Sequence, residues 1–350
     1  MAKPTTAILS GNEAIALGVA HAGVRVARAC PGTPSTEILE AIARFDGIDA
    51  QWATNEKTAV EIATGASYAG ARAFASMKHV GLNVAADPFF AASMTGVRGG
   101  LVIVSADDPS MHSSQNEQDN RQYARFAKVP LLEPSDSQEC YELTKLAYDL
   151  SEQYDTPVLL RTTTRISHSK SVVRYDADAR PERRPLPRFP RDPGKLVMIP
   201  ANARRRRPLV EVRLERLAEL AETFTYNRVI PGSPDIGIIA DGAAYQYARE
   251  VFSEASFLKL TLTFPFPVGL IRRFAASVKR LLVCEELDPF IEDMVRSLGL
   301  EVEGKSVFPA MGEFSPDVVA RGGMKAGLPV GRMAASAQAS SRGKTDTQLP

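Results

Sequence analysis

Two α/β units joined by an irregular segment are what this sequence predicts, and three observations carry that reading. Short apolar runs alternate with helix-period stretches from Ala7 to Arg161 and again from Asp235 to about Val307, as in mainly parallel sheets covered by helices. Between them Pro181, Pro185, Pro187, Pro190 and Pro193 recur among arginines, which works against regular hydrogen-bonded structure. The chain has 350 residues, room for two cores when about 150 residues per domain is usual.

The elements follow in order. From Val24 to Ala29 the chain reads as a strand ended by Pro31-Gly32, then as a helix from Ser35 to Phe45 and an Ala- and Gly-rich helix from Lys57 to Ala71. Ala73 to Met77, Gly100 to Ala106 and Pro157 to Thr162 read as buried strands, while Leu143, Leu146, Ala147 and Leu150 give the segment from Gln138 to Tyr154 a helical face. These make a first unit over 1–167, followed by a Pro/Arg-rich linker over 168–208. The run Arg204 to Arg207 reads as a solvated face of that linker, with phosphate binding as the sharper alternative.

The second unit, 209–321, opens with an amphipathic helix from Leu209 to Phe224. It continues with strands from Ile236 to Ala240, Phe257 to Leu262 and Arg280 to Glu285, and with helices from Ala243 to Phe252, Val268 to Ala276 and Pro289 to Leu298. The last stretch, 322–350, is Ala, Ser, Gly and Gln with few large apolar side chains and reads as a disordered tail.

Composition narrows the function classes. Hydrophobic residues at 44% and charged residues at 24% describe an ordinary soluble globular chain. With 42 Lys+Arg against 41 Asp+Glu the net charge is +1, so nucleic acid is not the expected partner. Cys30, Cys140 and Cys284 stand far apart, which excludes a disulfide scaffold, a cysteine zinc site and an iron–sulfur cluster in this chain. No apolar run approaches the roughly 18 residues of a membrane span, and Met1 to Ser10 lacks a signal pattern, so the expected location is cytoplasmic with no membrane partner.

Two stretches carry chemistry. In Cys30-Pro31-Gly32-Thr33-Pro34-Ser35-Thr36-Glu37 a strand ends, Gly32 allows a tight turn, and Ser35 or Thr36 is placed to cap the next helix, whose free amides suit a carboxylate. A well-capped turn without a ligand has the same pattern. Glu56 stands where a loop enters a helix, with Ala59, Ala63 and Gly65 three, seven and nine residues later. A first-turn glutamate is favoured by the helix dipole alone.

That spacing resembles the pyrimidine-binding domain of thiamine-diphosphate enzymes. With Pro31-Gly32-Thr33-Pro34-Ser35 the resemblance narrows to the 2-oxoacid:ferredoxin oxidoreductases. The stretches Lys78-His79-Val80-Gly81-Leu82-Asn83 through Pro88, Asp107 through Arg121, and Asp155-Thr156-Pro157 through Arg161 are similar to the α subunits of indolepyruvate ferredoxin oxidoreductases. In the second unit Asp241-Gly242-Ala243-Ala244-Tyr245, Phe264-Pro265-Phe266-Pro267 and Val283-Cys284-Glu285-Glu286-Leu287-Asp288-Pro289 resemble the transketolase C-terminal-like domain of those subunits.

The resemblance implies a fold, a cofactor and roles. Glu56 shares a proton with the cofactor's aminopyrimidine ring, Thr33 with Pro34 and Ser35 receives the substrate carboxylate, and Lys78, His79 and Asn83 line the cofactor. An aryl 2-oxo acid is decarboxylated, coenzyme A takes the acyl group, and electrons pass through iron–sulfur clusters to ferredoxin. The Gly-Asp-Gly motif for Mg²⁺ and diphosphate and the C-x-x-C repeats of such subunits are missing; Ala240-Asp241-Gly242 lacks the first glycine. The diphosphate and Mg²⁺ ligands are therefore expected on a separate ferredoxin-like polypeptide, alongside a companion subunit, in an oligomer. The alternative is a non-catalytic interaction subunit or inactive relative. Glu285-Glu286 is rejected as a metal pair, because neighbours on a strand face opposite ways.

Overall fold

The computed structural model describes residues 4–179, 189 and 191–330. Its centre is a seven-stranded sheet in the order Leu262–Phe264, Leu131–Leu132, Val158–Thr163, Leu101–Asp107, Ala73–Lys78, Val26–Ala29, Asp49–Trp52, all parallel except the first. Alternation along each strand builds two cores from one sheet: Phe74, Val102 and Val104 face the helices Gly11–His21, Thr36–Ile42 and Ser137–Tyr154. Ala73, Ala75, Met77, Leu101 and Ile103 face the helices Glu56–Tyr68 and Ala86–Thr95.

A four-stranded sheet follows, ordered Leu281–Cys284, Ser233–Asp241, Ala255–Leu260, Arg228–Ile230, with only the last strand antiparallel. One face of it, through Ile239, Leu258 and Val283, belongs to the same core as Met77 and Phe89 of the first unit. The two units are thus joined by continuous packing. The strand expected from Phe257 to Leu262 is divided: it leaves the second sheet after Leu260, and Leu262–Phe264 pairs with Leu131–Leu132 of the first. Asn227 fixes the crossing, its Oδ1 accepting from Thr261 N at 2.8 Å and Leu262 N at 3.0 Å.

The expected linker is corrected at both ends. Lys170–Asp176 is a strand paired antiparallel with Pro4–Ser10. A helix runs over Pro200–Thr223, including Pro208, rather than beginning at Leu209. It persists through a proline and four arginines because it is anchored sideways: Arg206 donates to Met94 O at 2.9 Å and to Asp155 Oδ2 at 2.8 Å, and Arg213 donates to Asp155 O and Ser93 O. Arg206 is buried as the anchor, while Arg204, Arg205 and Arg207 are exposed, so the run is a solvated face with one member turned inward. Pro181, Pro185, Pro187 and Pro190 lie outside the described residues. The stretch read as a tail begins inside a helix, Pro316–Lys325, with Gly322 and Gly323 buried; from 331 onward it lies outside the described residues. Among the described residues no helix is long and apolar enough to cross a membrane.

Candidate active site

Strand order locates the site before any side chain is considered. After Val26–Ala29 the chain moves to Asp49–Trp52 on one side, whereas after Ala73–Lys78 it moves to Leu101–Asp107 on the other. These two strands are neighbours, so a crevice opens between their carboxyl ends, where ligands of open α/β sheets bind. Cys30 to Ser35 leaves one strand there, Lys78 and His79 leave the other, and Glu56 arrives from Asp49–Trp52.

The first loop is closed by its own side chains. Thr36 Oγ1 accepts from Gly32 N and Ser35 Oγ donates to Gly32 O, both at 2.9 Å. Ser35 therefore stands at the start of the helix Thr36–Ile42 without capping it through its hydroxyl. Asn12, buried under the loop, donates to Pro34 O at 2.7 Å and Glu37 Oε2 at 3.1 Å. Pro34 and Ser35 face inward, while Thr33 is half-buried at the rim.

Glu56 is the first residue of Glu56–Tyr68, whose N-cap Asn55 accepts from Thr58 N at 2.9 Å. Its side chain lies against Gly81, where a Cβ would come within 2.7 Å of its Cγ and Oε1. Only glycine leaves that carboxylate its place. Cys30 hydrogen-bonds Glu56; burial first, and then the Glu56 charge and that bond, push the Cys30 thiol up. Lys78 runs beside Gly32, with its Cδ 3.2 Å from where a Cβ would stand. Glu56, the Thr33 loop and Lys78 are thus brought to one crevice.

His79 and Asn83 are tied to the next loop instead. His79 Nε2 lies 3.0 Å from Asn116 Oδ1, and its carbonyl accepts from Asn120 Nδ2 at 3.0 Å and Gln118 Nε2 at 3.2 Å. Asn83 and Gln118 exchange amide hydrogen bonds of 3.0 and 2.9 Å, and Tyr123 OH donates to Asn83 Oδ1 at 2.7 Å. Lys78 Nζ donates to Ser113 O at 2.6 Å. Burial works against the Asp108 charge, but hydrogen bonds from Ser114, Ser113 and Thr164 overcome it and hold the carboxyl below its usual range.

The loop from Asp107 to Arg121 ends in a buried ionic seam. Arg121 donates to Asp119, to Glu285 at 2.6 Å and to Asp241 at 3.1 Å. Arg161 donates to Asp107 at 2.7 Å and Glu133 at 2.5 Å. Glu285 and Glu286 have separate partners, since Glu286 Oε1 accepts from Phe314 N at 2.8 Å. Sequence reasoning did not single out Arg121, Asn12 or Gly81, whose importance lies in contacts distant along the chain.

The carboxylate, the space kept by Gly81 and the rim threonine suit the pyrimidine end of a thiamine cofactor. Among the described residues no group of three or more His, Cys, Asp or Glu side chains is placed to hold a metal ion.

The chain is similar to several known proteins. Residues 17–211 match the family described as pyruvate flavodoxin/ferredoxin oxidoreductase, thiamine diP-bdg. The indolepyruvate oxidoreductase subunit IorA of Methanothermobacter thermautotrophicus is 45% identical over 329 residues, covering 89% of this chain and 53% of that protein. That of Archaeoglobus fulgidus is 45% identical over 310 residues, covering 85% and 49%. The chain spans about half the length of these curated relatives. Among solved structures, the 2-oxoglutarate:ferredoxin oxidoreductase from Magnetococcus marinus shares the fold with a TM-score of 0.71 at 18% identity, over 91% of this chain and 65% of that one. A split gene transketolase aligns with a TM-score of 0.51 at 14% identity, over 84% and 86%. On the match over 17–211, the chain belongs to the thiamine-diphosphate-binding family of pyruvate flavodoxin/ferredoxin oxidoreductases.

Proposed function

We propose that the chain supplies the pyrimidine-side half of a thiamine-diphosphate site in an indolepyruvate-type 2-oxoacid:ferredoxin oxidoreductase. The observation that carries this reading is Glu56 in the first turn of its helix, held against Gly81 at the switch point of the sheet. When bound, the cofactor supplies the nucleophilic carbon and electron sink for decarboxylating a 2-oxo acid. Glu56 holds or releases a proton toward the pyrimidine ring, and its half-buried position keeps that carboxylate reachable. Thr33 offers its hydroxyl to the substrate carboxylate, with Pro34 and Ser35 fixing the loop from below. Lys78, His79 and Asn83 shape the cofactor wall through their bonds to the loop 113–120.

The diphosphate and Mg²⁺ ligands lie outside these 350 residues in this reading, to be supplied in the test as a second polypeptide, and a companion subunit completes a cytoplasmic oligomer that uses coenzyme A and ferredoxin. A Glu56→Gln variant in the reconstituted complex tests it. Turnover is expected to fall by about 10²- to 10⁴-fold while unfolding is unchanged, since shape is kept and the proton site is lost. Calorimetry with thiamine diphosphate and Mg²⁺ should show weak binding by the chain alone and a clear gain with the second polypeptide. Unchanged turnover in the variant sinks Glu56; no gain on adding the second polypeptide favours the interaction subunit.

A further inference from the structure

Six carboxylate side chains meet at the seam between the units: Asp107, Asp119, Glu133, Asp241, Glu285 and Glu286, each no more than 6% exposed. Arg121 and Arg161 are the guanidinium groups among them, and Lys305, which donates to Glu285 O at 2.6 Å, is the ammonium. Six potential negative charges against three positive ones is not a stable balance out of water.

Hydrogen bonds show which carboxylates are compensated. Asp119 accepts repeatedly from Arg121; Glu285 accepts from Arg121, Ile291 N and Glu292 N; Asp107 from Arg161 and Asn120 N; and Glu133 from Arg161 and Thr263 Oγ1. Among the described residues Asp241 accepts only a 3.1 Å bond from the Arg121 Nη1 that Glu285 holds at 2.6 Å, and Glu286 only one from Phe314 N. These two weakly supported groups line the same cavity of about 10 Å³, together with Glu133, Arg161 and Thr163. Arg161 Nη2 and Thr163 Oγ1 are buried there, and neither has a hydrogen-bond partner among the described residues; the Asp119 carboxylate is 3.8 Å from Nη2.

We propose that this cavity holds one water molecule and that Asp241 and Glu286 share a proton across it. The volume admits a single water, and the lining provides the donors and acceptors that one requires. A cation is disfavoured, because Arg161 Nη2 presents a positive donor that needs an acceptor. Burial, then the nearby Glu133 charge, drives Asp241 well above the usual carboxylate range, with Arg121 and Arg161 opposing and Glu285 adding to the rise. Burial pushes Glu286 up to about 7, against Phe314 N, Arg161 and Arg121 and with Glu313. Tyr247, Lys305 and Cys284 are further titratable groups in electrostatic reach.

Because both acids are raised in the folded chain, the stability they contribute is complete below the ordinary carboxylate range and is lost as pH rises toward and through neutral. The seam adjoins the candidate site, since Asn120 joins Asp107 to the carbonyl of His79.

Infrared spectroscopy of the full chain near neutral pH is expected to show a protonated carboxyl band, lost in both Asp241→Asn and Glu286→Gln. Unfolding of the native chain should release about one proton more than either variant, and both variants should be at least as stable as the native chain above neutral pH. Asp119→Asn, which neutralises a charged partner of Arg121, should be strongly destabilising at the same pH. Absence of the band in the native chain overturns the proposal, whether or not the variants fold. So do amide variants as damaging as Asp119→Asn, or a stability that depends on which monovalent cation is present.

Discussion

Glu56 and Arg121 are both charged groups at the carboxyl ends of parallel strands, and the fold handles them in opposite ways. Arg121 is fully enclosed, its guanidinium engaged by Asp119, Asp241, Glu285 and the carbonyls of Glu286 and Asp288. Glu56 is half-buried, with a thiol as neighbour and a glycine keeping space against it. A charge whose bonding capacity is filled within the chain holds elements together. A charge with capacity left over is available to something outside the chain.

The contrast is broken most severely at Arg121. Arg121→Met retains bulk and leaves three buried carboxylates without their cation, which is expected to cost about 3–5 kcal/mol. Urea unfolding measures it, and a loss of under about 1 kcal/mol would mean the seam contributes no more than a surface pair. The matching change on the other side is Gly81→Ala. Its new Cβ overlaps the Glu56 carboxylate at 2.7 Å, but that carboxylate is the end of a flexible side chain on a helix that itself tolerates alanine. Stability should hold while affinity for thiamine diphosphate in the complex falls about tenfold. An equal loss of stability and affinity would erase the distinction between the two regions.

Much of this was legible because local pattern and final environment agree. The buried strands from Ala73, Gly100 and Pro157 lie nearly where their apolar runs put them, and Glu56 begins its helix as its spacing suggests. The helix Pro200–Thr223 was not legible, because its arginines and Pro208 are polar-linker signals and the contacts that override them, at Asp155 and Met94, come from elsewhere in the chain. The same holds for Leu262–Phe264, whose apolar pattern fits either sheet; Asn227 decides which. Glu56 and Thr33 are candidates that the motif proposes, whereas Gly81 emerged only as the residue that a neighbouring side chain needs to be small.

The smallest effect expected separates two hydroxyls on one loop. Thr33→Val keeps the branched shape and removes the rim hydroxyl, so it should raise KM for the 2-oxo acid severalfold, the equivalent of about 0.5–1.5 kcal/mol, and leave kcat and stability alone. Ser35, 1% exposed with its hydroxyl donated to Gly32 O at 2.9 Å, belongs to the enclosed kind. Ser35→Ala loosens the loop from beneath, so it should lower stability by about 1 kcal/mol and move KM and kcat together. Steady-state kinetics of the reconstituted complex beside urea unfolding of each variant distinguishes them. If Thr33→Val instead lowers stability and Ser35→Ala alters KM alone, the assignment of which hydroxyl faces the substrate is reversed, and the crevice between Cys30 and Lys78 is read from the wrong side.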